Sequence, residues 1–186
     1  GAGNADFFRR EANVSLVSAT YGELRLGRAT SPAIANAQGG VVTPGNSIGV
    51  SAAAATGTSL DFFTKNAITY YSPSMSGVRA TLQYSPGEVA GDSSAGSKMA
   101  ASLVYSSAGL RLGAAAQQVK GATDGETSRT WYNVNGQYTW GAFKLGAGWY
   151  KVDQGDTTDT CIAPPNPNPT ADVCRFSSIP SSHGYN

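Results

Sequence analysis

The residues of this chain alternate. In the stretch GVRATLQYSPG, residues 77–87, Arg79, Thr81 and Gln83 are polar, while Val78, Ala80, Leu82 and Tyr84 are apolar. A period of two puts successive side chains on opposite faces of a strand, so one face is greasy and the other wet. The same pattern recurs in EANVSLVS, GELRLG, NAITYYS, KMAASLVY, LRLGAAAQQ, YNVNGQY and FKLGAGWY, eight strands in all. Helical periodicity of comparable strength appears nowhere.

The connections sharpen the picture. Short turns fall at 19–22, 73–77, 106–109 and 139–142. Long ones fall at 29–65, 86–97, 119–128 and from 152 onward. Short and long alternate strictly, so in an up-and-down meander all tight turns gather at one end of the sheet and all long loops at the other. That is the layout of an outer-membrane β-barrel. A soluble β-sandwich would also alternate. Against it stand strands of about 9–11 residues, the length of a tilted membrane strand, and an apolar face rich in Ala and Gly that would pack poorly as a core. Aromatic residues near strand ends (Tyr84, Tyr105, Tyr132, Tyr138, Phe143 and Trp149) match interfacial girdles.

Composition fits. Charged residues make up 13% of the 186, glycines number 23, and the formal net charge is +1. So little charge suits neither nucleic-acid binding nor a disordered chain. The expected fold is all-β, an antiparallel up-and-down transmembrane barrel, with the face of Val78, Ala80, Leu82 and Tyr84 toward lipid. Arg25, Arg79, Lys98, Arg111, Arg129 and Lys144 share parity with the polar positions. An Arg or Lys on the lipid face at midplane costs about 2–4 kcal/mol. Lys151 has lipid parity, but its stem can snorkel from a strand end.

FFRREANVSL…YGELRLGR and NAITYYSPSMSGVRATLQYSPGE, in that order and spacing, resemble the trimeric general porins of Gram-negative outer membranes, of the β-proteobacterial type. The resemblance runs from about residue 7 to 152. It implies a 16-stranded barrel, a homotrimer, contact with membrane lipid and lipopolysaccharide, and a third loop folded inward to narrow a water-filled pore for small hydrophilic solutes and ions. With eight strands visible, the chain reads as an interior part of a longer barrel. Residues 29–65 are the candidate constriction loop, with Asp61 its acid and Lys65 its base. Residues 153–186 are a long external loop and the start of a further strand.

The resemblance sets Arg10 on the lumen wall, whereas alternation groups it with Ala12 and Val14. Arg25, Arg79, Arg111 and Lys144 are candidate wall cations. Phe63 and Thr69 stand where the family often has basic residues, so the expectation is a mild anion preference or near neutrality. Most acids, among them Glu88, Asp92 and Asp153, are assigned to the long loops. Cys161 and Cys174 flank a Pro- and Asn-rich stretch. A loop disulfide is the reading, with two free thiols as the alternative. No cofactor, metal site or catalytic set is expected. Glu11 and Glu23 form no acid pair that can be placed, and His183 lacks metal partners. The alternative function is adhesion or ligand binding by a small surface β-protein through its long loops.

Overall fold

Among the described residues, nine strands form one antiparallel sheet in simple sequence order. The structure, a computed structural model, describes residues 10–39, 62–122, 128–154 and 183–185. The strands are β1 (Ala12–Ser18), β2 (Gly22–Thr30), β3 (Phe63–Tyr71), β4 (Val78–Ser85), β5 (Lys98–Ser107), β6 (Leu110–Val119), β7 (Arg129–Trp140), β8 (Phe143–Gln154) and β9 (His183–Tyr185). Each pairs only with its sequence neighbours, and β1 and β9 are the two edges. A helix, α1 (Pro32–Gly39), follows β2.

The tight turns share one end of the sheet because their residues force reversal. Ala108 (φ 44°) and Gly109 (φ 84°) lie between the paired residues Ser107 and Leu110. Ser76 (φ 50°) and Gly77 (φ 85°) do the same between Met75 and Val78. Two successive positive φ values match the right-handed twist of the flanking strands, and glycine adopts the second without strain. The connections after β2, β4, β6 and β8 are the long ones.

Polarity is inverted relative to a soluble domain. Leu82, Leu112 and Leu145 are 56%, 47% and 78% exposed, while Thr81, Gln83 and Asn133 on the other face are 8%, 5% and 4% exposed. Val14, Leu16, Leu26, Ile68, Leu103 and Val134 are likewise open to the surroundings. Tyr138, Trp140 and Phe143 stand exposed at the turn end, and Tyr84 and Tyr132 toward the loop end. A sheet is the one open-faced element that satisfies backbone groups between strands while presenting such a surface to hydrocarbon.

Two strand features depart from simple alternation. Gly27 pairs with Ala67 but Ala29 with Thr64, so β3 carries one extra residue at Lys65–Asn66. Asn66 takes φ 50° there, and the bulge leaves both Thr64 and Ala67 buried. Asp153 belongs to β8 rather than to a loop. It sits 2.7 Å from Lys151 Nζ, so Lys151 on the outer face is ion-paired. Cys161 and Cys174 lie outside the described residues.

Leu103 sits near the centre of β5, exposed on the apolar face. Leu103→Arg is expected to destabilise the bilayer-inserted protein by about 2–4 kcal/mol. Urea titration of folding into phospholipid vesicles measures this, and an unchanged midpoint would show that this face does not meet lipid.

Candidate functional site on the inner face

The helix after β2 is the centre of the site. PAIANAQG is eight residues long, too short to hold itself helical in water, so packing must hold it. It lies across β4 to β7 on the polar face, called the inner face from here. Ala33 and Ile34 are fully buried, and Ala37 nearly so. Beneath and beside them Ala115, Trp131, Tyr150 and Val152 form an apolar seat, with Phe62 packed against it. Burying a side chain the size of Ile34 contributes roughly 1.5–3 kcal/mol.

Hydrogen bonds fix the position of α1 on that seat. Ser31 Oγ donates to Gln117 Oε1 at 2.7 Å. Asn36 Nδ2 donates to Asn133 Oδ1 at 2.8 Å, and Asn133 Nδ2 returns a bond to the Ala33 carbonyl at 3.2 Å. Asn135 Nδ2 donates to the Asn36 carbonyl at 3.2 Å. Arg111 completes the network, with Nη1 donating to Asn135 Oδ1 at 2.6 Å and Nη2 to Asn36 Oδ1 at 3.0 Å. Gly113 makes this approach possible. A Cβ at that position would stand 2.0 Å from Asn36 Oδ1 and 3.0 Å from Asn135 Oδ1.

Alternation along the strands explains how these residues meet. Asn133 and Asn135 are two apart on β7, and Arg111 and Gly113 two apart on β6. The register sets Gly113 opposite Asn135 and Arg111 opposite Gln137. The chain of α1 runs from the loop end, where Ser31 meets Gln117, toward the turn end, where Gly39 meets Arg111. There the Gln137 side-chain amide, with its nitrogen toward the Gly39 carbonyl as its neighbours require, donates to that carbonyl at 3.2 Å and accepts from Lys144 Nζ at 3.2 Å.

A second charged group lies beside the first on β1 to β3. Arg25 donates through Nη2 to Glu23 Oε1 at 2.8 Å and lies 3.9 Å from Glu11 Oε2. Its guanidinium stacks 4.9 Å from the centre of the Tyr71 ring. Glu23 also accepts from Ser15 Oγ at 2.8 Å. Glu11, just ahead of β1, accepts from the Thr30 hydroxyl at 2.6 Å and the Thr30 amide at 3.0 Å. The hydroxyl bond, with help from the amide and Arg25, holds the Glu11 carboxyl below its ordinary range despite partial burial.

The candidate residues therefore divide. Arg111 and Lys144 meet around the end of α1. Arg25 forms its own cluster with Glu11 and Glu23, two acids that had no place in the sequence reading. Arg79 projects, exposed, from the inner side of β4, in the cross-strand row of Val104, Gly113 and Asn135. Lys65 lies at the bulge, exposed. Arg10 is exposed at the residue before Glu11, ahead of β1. Asp61 lies outside the described residues, as does residue range 40–61 of the candidate constriction loop. The helix and the Trp131, Tyr150 and Val152 seat were missed. Same-parity apolar residues on β7 and β8, set among polar neighbours, were the available signal.

A profile of Gram-negative porins matches residues 1–173. The chain belongs to the Gram-negative porin family. Its fold is similar to that of the anion-selective porin from Comamonas acidovorans, with a TM-score of 0.58 and 22% identity, over 79% of this chain and 47% of that chain. The chain thus spans about half the length of that porin. No curated protein sequence matches it. Porins are channel proteins of the outer membrane, and the sheet is accordingly barrel wall, with Leu82 on its apolar face. Among the described residues, no three metal-ligating side chains come together.

Gly113→Val is expected to unseat α1 without disturbing the sheet, since the valine side chain would occupy the Asn36 amide position. Hydrogen exchange of the Ala35 amide, which donates to the Ser31 carbonyl at 2.9 Å, should rise by roughly fivefold to 150-fold as about 1–3 kcal/mol of helix docking is lost. Unchanged protection would show that the Asn36 contact does not hold the helix.

Proposed function

We propose that the protein forms a water-filled outer-membrane channel for passive diffusion of small hydrophilic solutes and ions, with a mild anion preference or near neutrality. The observation that carries this reading is the docking of α1 on the polar face. A segment pinned inside a barrel wall narrows the lumen, and a narrow, low-dielectric throat makes fixed charges act strongly on passing ions. The constriction loop of this reading is the connection between β2 and β3, residues 31–62, with α1 at its start; the strands take the outer residues of the 29–65 and 153–186 segments expected from the sequence. Family membership supports a trimeric assembly in contact with lipid and lipopolysaccharide.

The sign of selectivity follows from which charges stay available to solutes. Arg111 is half-buried and engaged with Asn36 and Asn135, and Arg25 is balanced by Glu23 and Glu11. Arg79 is exposed to the inner space, and Lys144 lies near the end of α1. A wall with cations partly balanced in this way favours anions weakly. The Comamonas porin's description as anion-selective agrees in sign.

Reversal potentials in a salt gradient across a planar bilayer test the reading. The unaltered protein should give stepwise currents with a small anion preference. Arg79→Gln should move the reversal potential toward cation preference by more than Arg111→Gln, whose main effect should be on conductance through a loosened α1. Clear cation selectivity in the unaltered protein, or no stepwise current, would overturn the proposal.

A further inference from the structure

A separate concentration of charge lies at the loop end, away from the α1 network. A cleft of about 610 Å³ opens there, lined by Arg28, Lys65, Lys98, Lys120 and Arg129, with Glu88 as the only carboxylate among its described lining residues. Each cation arrives by a different strand or strand end, so the cluster is a product of the fold rather than of a basic run in the sequence. The bulge at Lys65–Asn66 takes Lys65 out of the alternation of β3. Its extra residue, Asn66, donates to Glu88 and so occupies that acid. Lys120 is held at the end of β6 by its amide bond to the Ser97 carbonyl at 3.0 Å. Lys98 and Arg129 share one cross-strand row with Ser85 and Val119; each has interactions of its own, and both add to the field in the cleft.

Arg28 supplies an independent sign that something polar belongs here. Its guanidinium packs 5.8 Å from the centre of the Phe63 ring. Its Nε is buried and has no hydrogen-bond partner among the described residues. A buried, unsatisfied donor on a permanently charged group is costly, and guanidinium geometry matches the oxygens of phosphate and carboxylate groups. The spread of the cations sets the ligand's size. Neighbouring strands lie about 4.8 Å apart, so Lys98 on β5 and Arg129 on β7 are roughly 10 Å apart at the backbone. A ligand with several anionic groups can engage cations on both sides of such a cleft at once, where a single chloride meets only those that converge on it.

We propose that this cleft binds a multiply charged oxyanion, a compound with two or more phosphate or carboxylate groups. As a station ahead of the lumen it rests on the channel reading; as a binding site it does not. Calorimetric titration of pyrophosphate into the full-length protein in neutral detergent tests it whether or not the protein conducts. Saturable binding is expected, weakening as salt is raised, and weaker by on the order of tenfold in each of Lys65→Gln and Lys120→Gln. These two side chains are exposed, so the variants should keep the fold. The proposal is overturned by the absence of saturable heat, by orthophosphate binding as tightly as pyrophosphate, or by affinity indifferent to both substitutions.

Discussion

Everything in this chain depends on backbone hydrogen bonding between strands in a medium that offers no water. The ladder satisfies the main chain in hydrocarbon and leaves side chains to do two opposite jobs on its two faces. On the outer face, Leu82, Leu103 and Leu112 need only be apolar, because lipid rather than a partner layer covers them. Ala101, Ala114 and Ala116 serve as well as larger residues there. The inner face is where packing has to be specific, and it is where the polar side chains are buried.

That asymmetry explains what could be read beforehand. Strand positions and the division into turn end and loop end follow from a period of two and from residues such as Ser76–Gly77 and Ala108–Gly109, all of which are local signals. The helix left no such trace. PAIANAQG is short, made largely of small residues, and held by Asn133, Asn135 and Arg111, 75 to 99 residues away. Its apolar seat was equally hidden. Trp131, Tyr150 and Val152 share the parity of wet positions, and only a docked segment makes sense of them.

Charge on the inner face was legible in part. Parity put Arg25, Arg79, Arg111 and Lys144 together, and the structure keeps all four on that face. Their partners are another matter. Glu23 meets Arg25 from two residues away on the same strand, but Glu11 reaches it only because β1 and β2 pair in one register, and Asn36 reaches Arg111 only because Gly113 has no side chain. Lys65 is displaced by a bulge that requires Asn66 at positive φ, a backbone state that spacing alone does not reveal. The Asp153–Lys151 pair shows the reverse case, an acid expected in a loop that lies on β8 beside a cation of the same face.

The direction in which α1 enters has an electrostatic consequence. The helix begins at the loop end and finishes at Gly39, so its peptide dipoles present their negative pole, and its last carbonyls, to Arg111 and the Gln137–Lys144 pair. Main-chain carbonyls thereby stand in for carboxylates at that point. The tract offsets basic side chains without spending an acidic residue on the task, and that compensation carries no pKa: it persists at any acidity the fold survives.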